Sequence, residues 1–253
     1  MSVRLPMSFQ RIAYEVREVC NGVEMAVLEA AVARTGLGTD ATVIDIGTGN
    51  AAVAIRLAQR FGLTVAGVEL DPVMADLARS RIEAASAGDR VSLTVARAAE
   101  LLARTQPVDL IVALGTTNVS GEGRPTPEAG FIALRRSLKP GGWLLWGDTV
   151  WLSEPPAPLR QITEATNLYT DDAGWRAAAA AAGFEVVDGR VSPPEVFDAY
   201  AGDSVAAVRV WLEANPDAPE TASIRLNADR VQAIMEFGRV YIGFGLYLLR
   251  NPA

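Results

Sequence analysis

Asp45-Ile46-Gly47-Thr48-Gly49-Asn50-Ala51 puts two glycines and small neighbours where a β-branched run, Thr42 to Ile46, gives way to a helical pattern from Ala51 to Phe61. Small residues at such a turn let backbone N–H groups come close to a ligand. With Ala52 the segment also satisfies the looser G-x-G-x-x-A dinucleotide pattern, so a nicotinamide or flavin ligand has to be weighed. Glu69 ends the next apolar run about 20 residues further on, where a carboxylate can take both ribose hydroxyls. Asp45 separates the alternatives. An acid two residues ahead of the first glycine can orient the loop or meet a cationic ligand, whereas a pyrophosphate would gain nothing from it. The balance favours a nucleoside carrying a sulfonium over a dinucleotide, with a plain strand-helix turn and incidental acids as the bland alternative.

The residue types that are missing narrow the chemistry further. The 253 residues contain no histidine, which removes the commonest general base, the commonest metal ligand and every Ser-His or Cys-His nucleophile. Cys20 is the only cysteine, so no intramolecular disulfide and no thiolate metal cluster can form, and on a helix it reads as an inert core residue. No set of carboxylates has metal-ligand spacing, so no metal is expected. A net charge of −7 with dispersed arginines offers no continuous basic surface for nucleic acid. No segment has the length and apolarity of a signal peptide or a membrane span, so a cytoplasmic protein is expected.

These residues need a scaffold, and the chain reads as alternating strands and helices. Helical spacing from Arg11 to Arg34 implies one or two amphipathic helices ahead of the first strand. Thr64 to Glu69 is a second strand and Pro72 to Ala85 a helix capped by Asp71. Val91 to Ala96, Val108 to Leu114 and Trp143 to Gly147 are strands three to five, with a helix from Thr126 stopping before Lys139-Pro140-Gly141-Gly142. A helix near Leu159 to Leu168, another from Asp171 to Ala182 capped by Thr170, and a sixth strand, Phe184 to Arg190, follow. Two helical stretches, Glu195 to Ala214 and Glu220 to Phe237, then precede a seventh strand from Tyr241 to Leu249. Strands joined through helices imply a parallel α/β sheet covered on both faces.

Taken in order, Val43-Ile44-Asp45-Ile46-Gly47-Thr48-Gly49, Gly67-Val68-Glu69-Leu70-Asp71-Pro72-Val73-Met74, Val108-Asp109-Leu110-Ile111-Val112-Ala113-Leu114-Gly115 and Leu138-Lys139-Pro140-Gly141-Gly142 resemble the motifs of class I S-adenosylmethionine-dependent methyltransferases. Phe237-Gly238-Arg239 and Gly243 to Arg250 resemble the end of a bacterial subgroup related to quinone-biosynthesis methyltransferases. The resemblance implies a Rossmann-like fold with a seven-stranded sheet in the order 3-2-1-4-5-7-6, strand 7 antiparallel, and S-adenosylmethionine as cofactor. It also implies that Gly47, Thr48 and Gly49 line the methionine end, with Asn50 among the cofactor-binding residues, that Glu69 holds the ribose, that Leu70 and Met74 flank the adenine, and that Ala113, Leu114 and Gly115 lie beneath the sulfonium. Such families usually place an acid after the third strand to accept from the adenine amine. Here the chain reads Ala96-Arg97-Ala98-Ala99-Glu100, so backbone contacts from Ala98 are expected instead. Relatives in the subgroup often carry a histidine after the fourth strand, where Thr116-Thr117-Asn118 stands here.

Methyl transfer from a sulfonium is an in-line displacement that positioning can accelerate without a dedicated base. Asn118, just past strand four, and Asp148 and Trp151, just past strand five, are candidates for holding an acceptor or taking its proton, with loop-stabilising roles as their alternatives. Tyr14, Tyr169, Tyr200 and Trp211 sit on the elements expected to cover the site. The expectation is one domain over residues 1–253, with an N-terminal helical segment (1–38) and a helical insertion (193–238) forming a substrate lid. The expected activity is methyl transfer to a small-molecule acceptor by a monomer or homodimer. The alternatives are a non-catalytic binder of S-adenosylmethionine or S-adenosylhomocysteine and a NAD-dependent oxidoreductase.

Overall fold

The computed structural model describes residues 6–116, 119, 126–164 and 170–253. The first strand, β1 (Thr42–Ile46), runs parallel to β2 (Thr64–Glu69) on one side and β4 (Val108–Leu114) on the other. Beyond them lie β3 (Val91–Val95) next to β2 and β5 (Leu138–Trp151) next to β4, both parallel. The last strand, β8 (Ile242–Arg250), enters antiparallel between β5 and β7 (Glu185–Val191). A two-residue strand, β6 (Thr170–Asp171), adds to the end of β5. The order β3-β2-β1-β4-β5-β8-β7 is therefore the expected path with one short strand added off it.

Alternation along each strand builds a core on each face. Val43, Val65, Leu110 and Leu145 pack with Leu28, Leu57 and Ala78 of helices α2 (Met25–Ala33), α3 (Ala52–Phe61) and α4 (Pro72–Ala84). On the other face Ile44, Ile111, Leu144 and Tyr247 meet Phe131 and Trp175, from helices α6 (Pro127–Arg135) and α8 (Asp172–Ala181). A third cluster joins the remote ends of the chain. Phe9, Ile12 and Ala13 of α1 (Phe9–Glu15) pack with Val208 and Leu212 of α9 (Pro194–Ala214) and Ile224 and Ala228 of α10 (Thr221–Gly238).

Two local expectations change. The fifth strand does not stop at Gly147: it pairs with β8 from Trp143 to Trp151, so Asp148 and Trp151 are ladder residues rather than members of a following loop. The Lys139-Pro140-Gly141-Gly142 turn lies inside the same strand, with Gly141 at φ +76° and a register shift against β4. The cap of α8 is Asp171, whose Oδ1 accepts from Gly174 N–H at 2.7 Å, and Thr170 is in β6.

Candidate functional site

The glycine turn after β1 needs the backbone freedom its residues supply. Gly47 and Gly49 have φ of +66° and +56°, where a Cβ is disfavoured, and a Cβ on Gly47 would also strike the Thr116 hydroxyl. Gly47 and Thr48 donate their N–H groups to Val68 O at 2.9 and 3.1 Å, pinning the turn to β2. Asp45 is 3% exposed, and its Oδ2 accepts from Thr48 Oγ1 at 2.6 Å. Burial pushes this carboxyl up to about 6, partly offset by the Thr48 bond. Of the two roles open to Asp45, orienting the loop is the one its partner shows.

Glu69 is tied into the same loop. Its Oε2 accepts from Gly49 N–H at 3.0 Å, and its Oε1 accepts from Leu70 and Asp71 N–H at 2.9 and 3.0 Å. Burial raises its pKa above the usual carboxylate value, and these three N–H groups pull the other way. A carboxylate has about four lone-pair sites, so Oε2 keeps one for a further donor.

Asn50, though buried, reaches the N-terminal segment. Its Nδ2 donates to the carbonyls of Tyr14 at 3.0 Å and Arg17 at 2.9 Å, while its Oδ1 accepts from Ala52 N–H. Arg81 on α4 adds bonds to the Glu15 and Arg17 carbonyls at 2.6 and 3.1 Å. Residues 14–17 are thereby strapped across the glycine turn.

Between strap and sheet lies a cavity of about 570 Å³. Gly47, Gly49, Glu69, Leu114 and Gly115 form its centre. Leu70, Met74, Arg97 and Ala98 line the end next to β2 and β3, and Gln10, Tyr14, Cys20, Asn21 and Thr116 close the end over β4. Asn21 Nδ2 donates to Leu114 O at 3.2 Å, and Thr116 Oγ1 donates to Ile46 O at 3.2 Å. Burial pushes the Cys20 thiol up to about 11, which keeps it protonated. The Tyr14 and Tyr200 hydroxyls lie 3.1 Å apart, with the Arg17 guanidinium 5.0 Å from the Tyr200 ring centre. Desolvation raises both phenols, so both stay protonated. Only Tyr14 of the two reaches the cavity wall.

Thr48, Asp45, Asn50 and Ala113 support the wall from behind, whereas Gly47, Gly49, Glu69, Leu70, Met74, Ala98, Leu114 and Gly115 stand on it. Asp148 and Trp151, 1% and 7% exposed, do not line it, and alternation along β5 sends them to opposite faces of the sheet. Asp148 Oδ1 accepts from Thr149 N–H at 2.7 Å, while Oδ2 accepts no hydrogen bond among the described residues. Burial pushes this carboxyl up to about 7. Asn118 and Tyr169 lie outside the described residues. Sequence reasoning missed Gln10, Asn21, Arg97 and Thr116 as wall residues, and treated Cys20 only as core. An Asn-Gly turn at Asn21-Gly22 was the only local signal. Among the described residues no group of three or more His, Cys, Asp or Glu could hold a metal, and no helix is long and apolar enough to cross a membrane.

Comparison with known proteins bears on the fold. Residues 43–142 match the family model for a methyltransferase domain. The chain is 26% identical to the uncharacterized protein YjhP of Escherichia coli (strain K12) over 213 residues, covering 82% of this chain and 83% of that one. A shorter stretch of 74 residues, 27% of this chain and 29% of the other, is 39% identical to a tRNA1(Val) (adenine(37)-N6)-methyltransferase of Porphyromonas gingivalis. In three dimensions the chain is similar to a SAM-dependent methyltransferase from Thiobacillus denitrificans solved in complex with S-adenosyl-L-homocysteine, with a TM-score of 0.81 at 22% identity over 98% of this chain and 99% of that one.

Proposed function

We propose that this chain, whose residues 43–142 match a methyltransferase-domain model and whose sheet has the Rossmann-like order of the class I S-adenosylmethionine-dependent enzymes, moves the methyl group of S-adenosylmethionine to a small-molecule acceptor. The observation that carries the cofactor half is the Glu69 carboxylate, fixed by Gly49 N–H at the centre of a cavity floored by positive-φ glycines. A Cβ at Gly47 would strike Thr116 Oγ1 and one at Gly115 Asn21 Oδ1, so glycine at both positions keeps these wall side chains in place, and the cavity with an open lone pair on Glu69 Oε2 suits a nucleoside ligand donating one hydroxyl there. When bound, that ligand supplies an electrophilic methyl on a sulfonium.

The chain's own residues orient and enclose. The protonated phenol of Tyr14 and the carboxamides of Asn21 and Gln10 offer neutral hydrogen-bonding groups at the β4 end, where an acceptor would approach. Tyr200 holds Tyr14 from behind, so the strap and the insertion together act as the lid. Asp148, one residue beyond the Gly147 carbonyl that accepts from Gly115 N–H, is the candidate to take the acceptor's proton, Trp151 and Asn118 being weaker candidates for contact. The acidic surface opposes a polyanionic acceptor, which favours a small molecule over tRNA despite the short match above. Kinship to the quinone-biosynthesis enzymes and a cytoplasmic location belong to the same proposal.

A second reading is favoured by the placement of Asp148 and Trp151 behind the wall rather than on it: a non-catalytic binder of S-adenosylmethionine or S-adenosylhomocysteine. Calorimetry with both sulfur ligands and with NAD tests the cofactor half, with binding of the first two and no measurable heat from NAD expected. Methyl release from labelled S-adenosylmethionine in the presence of a metabolite extract separates enzyme from binder.

A further inference from the structure

Helix α10 is apolar on the side away from the core as well as on the side facing it. Ile224, Ala228 and Val231 turn inward to pack with α1 and α9. On the other side Ala222, Leu226, Ala233 and Phe237 recur at steps of four, seven and four residues, which at about 3.6 residues per turn makes one stripe, and Val240 follows at the helix end. Leu226, Phe237 and Val240 are 71%, 51% and 67% exposed. Single apolar side chains on a surface are ordinary, whereas an aligned set on a helix marks a contact.

Charged residues flank the stripe. Arg225, Asp229 and Glu236 stand on the edge next to α9, and Arg230 on the opposite edge. The Arg225 side chain makes no hydrogen bond or ion pair with any described residue, and the Glu236 carboxylate accepts only from Gln232 Nε2, at 2.6 Å. When a helix packs antiparallel on its own copy about a two-fold axis, like edges meet and the sequence order reverses. An axis between Arg230 and Val231 then sets Arg225 against the partner's Glu236, twice by symmetry, and seats Leu226 between the partner's Ala233 and Phe237. The small Ala233 lets the two helices approach. We propose that this face of α10 joins two copies of the chain in an antiparallel pair. The net charge of −7 opposes an anionic lipid surface, the other partner that an amphipathic face suits. From Ala222 to Phe237 the stripe is one helix wide and about 22 Å long, short of the roughly 800 Å² per partner of a standard interface, so the pair is weak and concentration-dependent.

The test is sedimentation equilibrium of the full chain from micromolar to near-millimolar concentration. The native chain is expected to pass from one copy to two. Leu226 is exposed in the single chain, so Leu226→Glu keeps the fold, which circular dichroism checks, and should raise the dissociation constant about tenfold or more. Arg225→Glu or Glu236→Arg alone should raise it about threefold or more, and the double variant, which exchanges the two charges, should return it to near the native value. A single copy at every concentration, an equilibrium that Leu226→Glu leaves unchanged, or flotation of the chain with phosphatidylserine vesicles in place of pairing overturns the inference. A double variant as weak as either single one overturns the antiparallel arrangement.

Discussion

The Tyr14 and Tyr200 hydroxyls meet at 3.1 Å, joining the N-terminal helix to the insertion directly behind the cavity wall. The same contact lies beside the apolar cluster in which Phe9 and Ile12 of α1 pack with Val208 of α9 and Ile224 of α10.

Tyr200→Phe should therefore loosen the strap without emptying the core. The expected cost is about 1 kcal/mol of stability, the net worth of one partly buried hydrogen bond. Amide exchange across residues 9–20 should quicken, with the sheet unaffected. Unaltered exchange in this segment would show that the apolar cluster alone holds the N-terminal helix to α9.

Asp148 makes stability depend on pH in a stated direction. Its carboxyl is raised in the folded state from 3.8 to about 7, so folding favours the neutral form. The contribution is fully present below the unfolded value and is lost as pH rises through the window up to about 7. Asp148→Asn should leave stability near pH 4 little changed and raise it at pH 8, by at most about 4 kcal/mol at 1.36 kcal/mol per unit. Urea melts at the two pH values provide the check.

The same variant tests chemistry. If the Asp148 carboxylate takes the acceptor's proton, Asp148→Asn should lower kcat by about 100-fold or more, with cofactor affinity kept and the rise in rate near pH 7 abolished. A kcat within twofold of the native value would return Asp148 to a purely internal role.

Glu69→Ala should weaken S-adenosylhomocysteine by about 2 to 3 kcal/mol, through loss of the ligand's partner and release of Gly49 N–H. Glu69→Gln should fall between native and alanine. Equal affinity in all three would place the ribose elsewhere.

At Gly115, φ is +66° and a Cβ would come within 2.5 Å of Asn21 Oδ1. Gly115→Ala should cost about 1 to 3 kcal/mol in backbone strain and push Asn21 out of place over β4. Thermal melts and ligand titration together should show affinity falling more than stability can explain.

How much of this was legible depends on how local each signal is. Gly47, Gly49, Glu69 and Asp71 were readable because turn, strand end and cap are each decided within a few residues. Asp148 and Trp151 were placed past a strand that in fact continues, because the pairing that extends it comes from β8, about a hundred residues later. The wall positions of Gln10 and Cys20 were invisible, and Asn21 left only its Asn-Gly pair, since the strap is held by Asn50 and Arg81 rather than by a pattern of its own.

Asn50 also carries a kinetic consequence. The carboxamide that bonds its own loop at Ala52 N–H holds the Tyr14 and Arg17 carbonyls, so the loop that receives a ligand and the segment that roofs it are fastened by one side chain. If ligand entry requires that fastening to open, the two ends of the cavity act together. Association would then be slower than free diffusion, and arrival and departure would share a common step. Asn50→Ala would quicken both rates together, leaving the equilibrium constant far less changed than either.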